Sequence, residues 1–84
     1  MVEKKVIDLI DELDANNQFM PLVRLGFLHS NLILFRNIYR AYNYRLESTK
    51  SKMQAMEDVS HNFGVSFETV RKARRVMSEL VATP

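Results

Sequence analysis

The sequence predicts an all-α fold, a small helical bundle, and three observations lead there. Glycine and proline number two each in 84 residues, far below their usual joint share of roughly 12%, and turn-dense β architectures need many more of both. Apolar residues recur at steps of three and four along most of the chain. At 46% hydrophobic and 26% charged, the composition is that of a chain with a core to bury, not of a disordered one. The length suits one domain, 1–84, and leaves no room for a large catalytic cleft.

Taken in order, Val2, Val6, Leu9, Ile10 and Leu13 fall on one side of an amphipathic helix over Val2–Asp14, with Lys4, Asp8, Asp11 and Glu12 opposite. Asn16 and Asn17 stop it. Asp11, Glu12 and Asp14 crowd the end where the helix dipole prefers cations, so this helix is expected to lean on another group. A shorter helix starts near Phe19–Pro21 and ends near Gly26, whose tolerance of positive φ suits a helix end.

Ser30 or Asn31 then caps a helix from Leu32 to Glu47. Its stripe is Leu32, Phe35, Tyr39, Tyr42 and Leu46, with Arg36, Arg40, Asn43 and Glu47 on the wet side. Ser51 and Gln54 have the spacing of a capping box, which starts a further helix with Met53, Met56, Val59 and Phe63 inward, up to Gly64. Ser66 caps the last helix, with Val65 and Val70 placed as a hydrophobic staple. Val70, Ala73, Met77 and Leu80 face inward, and Val81 extends that helix before the chain frays.

Charge is uneven along this plan. Residues 1–20 hold two lysines against five carboxylates, net −3, and residues 21–84 hold ten Lys or Arg against five carboxylates, net +5, for +2 overall. Two short helices joined by a glycine-containing turn, the second capped and studded with cations, form the local pattern of a nucleic-acid reader. The stretch Met56–Arg75, above all Phe63-Gly64-Val65-Ser66 followed by Thr69-Val70, resembles the helix-turn-helix of bacterial regulators, resolvases and transposase DNA-binding heads. Ser60 stands where that family usually has alanine, and Phe67 where it usually presents a polar side chain. The resemblance covers about 20 residues directly, and about 50 if the helix from Leu32 supplies the third member of a tri-helical unit.

The resemblance implies a C-terminal tri-helical helix-turn-helix unit over 30–82, with 1–29 supplying helices for packing or dimerisation. An α-helix fits the major groove with its first turns at the base edges. Ser66, Phe67, Glu68, Thr69, Arg71 and Lys72 are therefore the candidates for base contact. Arg71 or Lys72 would bond guanine, and Glu68 would accept from a cytosine amine. Lys50, Ser51, Lys52, Arg74 and Arg75 are the candidates for phosphate contact, which positions without specifying. Phe67 is expected to be partly buried, being three residues before inward Val70.

The expected partner is double-stranded DNA, with a homodimer through Val2, Val6, Leu9, Ile10 and Leu13 or, equally, a lid formed by that helix across its own chain. The expected role is a small transcriptional regulator. Two alternatives stand beside it: an accessory DNA-binding protein of a mobile element or plasmid, and a protein-interaction adaptor on the same scaffold.

Other chemistries have little support. Without cysteine there is no disulfide, thiolate metal site or Cys nucleophile. His29 and His61 lie 32 residues apart and are expected on the surface or at a cap, with no metal and no cofactor. No phosphate-cradling glycine loop or catalytic triad spacing is present, so no enzyme is expected. The interleaved Phe35–Arg45 stretch looks like a single-strand stacking surface, but its aromatics share one stripe and are expected in the core, with only Tyr44 free. Arg36 and Arg40 would meet phosphates or the acidic first helix. No apolar run approaches a membrane span, and a cytoplasmic address is the expectation.

Overall fold

The computed structural model describes residues 2–83, with the side chains of residues 3–81 placed. The order is β1 (Val2–Lys5), α1 (Val6–Ala15), α2 (Phe19–Arg24), α3 (Asn31–Thr49), α4 (Lys52–Phe63), α5 (Phe67–Ser78) and β2 (Leu80–Thr83). Five helices make the body, as expected. The departure is a two-stranded antiparallel ribbon in which Val2 opposes Thr83 and Lys5 opposes Leu80, tying the two ends of the described chain together.

The ribbon corrects two expectations. Val2–Lys5 is strand and not the first turn of a helix, and Leu80 and Val81 belong to β2 and not to α5. Leu80 is 58% exposed. A four-residue strand pairs only when a partner nearly 80 positions away is brought beside it, and a two-stranded ribbon has little stability without that support. The Val6 amide extends the ladder by donating to the Glu79 carbonyl at 2.9 Å.

Helix ends follow the local chemistry. Asn17, Gly26 and Gly64 all take positive φ, and each closes its helix with paired backbone bonds, Gln18 to Leu13, Phe27 to Leu22 and Val65 to Ser60. Lys50 also takes a positive φ, 55°, and closes α3 with one backbone bond, its amide to the Leu46 carbonyl at 2.8 Å, a position for which its side chain gives no signal. Ser51 and Ser66 each accept from the amide three residues on, Gln54 at 3.3 Å and Thr69 at 3.2 Å. The Ser51 box is only half closed, because the Gln54 amide group donates to Asp58 instead.

The core is built around α3. Tyr42, Ile38, Val59, Val70 and Met77 are essentially inaccessible, and Phe19, Ala55 and Ala73 complete the centre. Ile38 sits there in place of Tyr39, which is half-buried, and Ala55 in place of Met53, which is 61% exposed. On α1, Ile7 and Ile10 are buried, with Val6 and Leu13 packed against the same cluster. The face expected to form a homodimer is therefore consumed within the chain, Leu9 being half-buried beside it; the side chain of Val2 lies outside the described residues.

Charge pairing holds α1 to α3. Arg36 donates to Asp14 at 3.0 Å and stacks on the buried Phe19 ring at 4.8 Å from its centroid. Arg40 bonds Asp11, and Lys4 reaches Glu12 at 2.7 Å. The carboxylates that oppose the α1 dipole are thus answered by cations from outside it. The acidic partner of Arg36 and Arg40 is the first helix of the same chain.

Gly64 fixes the exit from α4. At φ 64° a side chain is strained even though nothing stands within 4 Å of where a Cβ would go. Gly64→Ala should therefore cost about 1–2 kcal/mol from backbone strain alone, read as a lowered midpoint in chemical denaturation with an unchanged slope.

Candidate nucleic-acid interface

The three-residue turn Gly64-Val65-Ser66 separates α4 from α5, and both helices pack on α3. Ser60 locks the turn. Its hydroxyl donates forward to the Val65 carbonyl. The Val65 amide returns to Ser60 at 3.1 Å. Val65 and buried Val70 both pack into the core, as the staple requires. The chain bends at Gly64, and the exposed residues of α5 include Glu68, Arg71, Lys72 and Arg75.

The candidate base-contacting residues do not all remain free. Ser66 is the N-cap, and its hydroxyl also lies 3.2 Å from the Thr69 hydroxyl, so the two are engaged with each other. Phe67 is half-buried, as expected, but lies outside the core cluster. Arg71 donates to Glu68 at 2.7 Å in a pair with both side chains largely in water. Such a pair contributes little to stability and is easily exchanged for a ligand. Lys72 sits with its ammonium 6.0 Å from the Phe35 ring centroid. Glu68, Thr69, Arg71, Lys72 and Arg75 together line one shallow hollow on α5.

Among the candidate phosphate contacts, Lys50, Ser51 and Lys52 are exposed at the α3–α4 junction, although the Ser51 amide is spent on the Thr49 hydroxyl at 3.3 Å. Arg75 is exposed. Arg74 differs from the expectation of a free surface cation: it is half-buried, with its guanidinium carbon 4.0 Å from the centroid of Tyr42. That stacking fixes where its remaining N–H groups can point.

Two further residues border α5 that sequence reasoning leaves elsewhere. Tyr39 and Asn43, one turn apart on α3, line a cleft of about 350 Å³ together with Arg71, Arg74, Arg75 and Ser78. The stripe on α3 includes Tyr39 and the wet side includes Asn43, and the meeting of both with α5 is decided by how α3 and α5 pack.

Asp58 on α4 is engaged within the fold. Asp58 accepts from Arg45 Nη2 at 2.6 Å and Nε at 3.1 Å, and from Gln54 at 2.9 Å. The Arg45 guanidinium, with the Gln54 amide second, holds the Asp58 carboxyl below its ordinary range. A carboxyl depressed on folding adds stability that is present above the usual carboxylate pKa of about 4 and is lost as pH falls through the folded value. Melting curves of the native protein and of Asp58→Asn should differ at pH 6 and converge below about pH 4.

His29 caps α3, its Nδ1 accepting from the Asn31 amide at 3.0 Å, and no group of metal-ligating side chains exists among the described residues. No helix of the described residues is long and apolar enough to cross a membrane. Comparison with family models, with curated proteins and with solved structures gives no match. The functional reading therefore rests on the residues themselves.

Proposed function

We propose that this protein binds double-stranded DNA by sequence, with α3, α4 and α5 acting as a helix-turn-helix unit and α5 entering the major groove, and that it serves as a small transcriptional regulator. One observation carries the reading. α5 is set off from α4 at Gly64 and keeps Arg71, Lys72 and Arg75 in solvent while Val70, Ala73 and Met77 anchor it from behind. A helix so held is of the right width for the groove, and its exposed stripe offers donors for guanine from Arg71 and Lys72 and an acceptor for cytosine from Glu68.

In this reading Ser66 and Thr69 hold the helix start in shape, and Phe67 faces a thymine methyl group. Lys50, Lys52 and Arg75 contact phosphates. Of the residues expected at a dimer contact, Ile10 is buried in the core and Val6 and Leu13 pack against it, so a single module is taken as the binding unit. Recovery of duplexes from a random pool tests the proposal. Enrichment of a motif about 3 to 6 base pairs long is expected, and a pool that stays random would leave no sequence reading to assign.

A further inference from the structure

The fold sorts its arginines. Arg36, Arg40 and Arg45, all on α3, are each matched to a carboxylate, Asp14, Asp11 and Asp58. Arg74 and Arg75 have no carboxylate partner among the described residues, and Arg71 has only the exposed Glu68. All three residues line the cleft between α3 and α5, whose other lining residues, Tyr39, Asn43 and Ser78, are uncharged. Two cations without a carboxylate partner, Arg74 and Arg75, in a concavity lined by no acid leave a positive field that an anion relieves.

The donors suit one anion in particular. Arg74 is held by its stacking on Tyr42 at 4.0 Å, so its planar fork is ordered before any ligand arrives. Asn43 and Tyr39, which carry an amide and a hydroxyl, line the α3 wall of the cleft. Ser78 forms part of the wall without donating into the cleft, because its hydroxyl is given to the Arg74 carbonyl. Guanidinium forks with neutral donors around them match the tetrahedral oxygens of a phosphate. Arg71 and Arg75 also line the hollow on the exposed face of α5, so the cleft adjoins the stripe assigned to the groove.

We infer that the α3–α5 cleft is a phosphate seat, and that its occupant is a backbone phosphate of the duplex bound by α5. This rests on the DNA-binding reading for the source of the phosphate, and it gives Tyr39 and Asn43 a role outside the recognition helix.

The test uses the full chain and the double variant Tyr39→Phe/Asn43→Ala, which keeps the Tyr39 ring and every arginine. With an unchanged melting curve, the variant should bind a selected duplex and a random duplex about tenfold more weakly alike, since phosphate contacts position without reading sequence. A single neutral methylphosphonate at the seated position should weaken the native protein by a similar factor and the variant no further. If the native protein binds duplex and the variant binds equally well, the seat is overturned and the DNA reading stands. If the native protein binds no duplex, that reading falls, and inorganic phosphate decides for the seat. Saturable shifts of the Arg74 side-chain resonance, lost in the variant and not produced by chloride at equal ionic strength, would assign the cleft to a free phosphate ligand; no shift would overturn it.

Discussion

Replacing Arg71 and Lys72 together with alanine is expected to lower affinity for a selected duplex by about a hundredfold, because each good contact to a base edge is worth roughly 1–3 kcal/mol. Fluorescence anisotropy with labelled duplex gives the number. The fold should survive, since both side chains are exposed, Arg71 holding only Glu68 at 2.7 Å and Lys72 lying 6.0 Å from the Phe35 ring centroid. Loss should be concentrated on the selected sequence, so that preference over random duplex narrows. Arg75→Ala is expected to behave differently. It should weaken all sequences alike and reduce the slope of log affinity against log salt by about one unit, the signature of a phosphate contact. Equal losses on all duplexes for Arg71 and Lys72 would move these two residues from reading to positioning.

The second large effect concerns the core on which α5 rests. Tyr42 is fully buried, with Arg74 over its ring and a hydroxyl that meets no hydrogen-bond partner. Its two halves should therefore act in opposite directions. Tyr42→Ala removes a large ring from the centre of α3 and should cost about 3–5 kcal/mol, the range for truncating a buried aromatic residue. In a domain of this size that lowers the melting midpoint by roughly 15–30 °C, which is close to complete unfolding at room temperature. Tyr42→Phe removes only the unpaired hydroxyl and should leave stability unchanged or slightly higher, since an unsatisfied buried polar group is itself a cost. A large loss in Tyr42→Phe would mean that the hydroxyl has a partner within the fold.

Features specified over short stretches of sequence were legible, and features specified by tertiary approach were not. Gly64, Ser51 and Ser66 act on the backbone within three or four positions, so the ends of α4 and the start of α5 could be read from their spacing. Val70, Ala73 and Met77 followed from period alone. The β1–β2 ribbon could not be found that way, because Lys5 and Leu80 carry no mutual signal and are brought together by the packing of the helices between them. The same limit applies to Ile38 and Tyr39, adjacent on α3, where the choice of which enters the core depends on the angle at which α5 crosses. Arg36 and Arg74 show it again: both read as surface cations, and both lie on aromatic rings contributed by other helices. At the candidate interface the exposed cations of α5 were legible, while the cleft wall from Tyr39 and Asn43 was not.

The central claim is that α5, turned out at Gly64, presents its cations to a duplex. Titrating salt against binding of the native protein to random-sequence duplex examines it most directly, since each phosphate neutralised contributes about −0.9 to the log–log slope. With Lys50, Lys52, Arg74 and Arg75 at the backbone, the slope should lie at about −3 to −4. A slope near zero, or no binding at low salt, would contradict it.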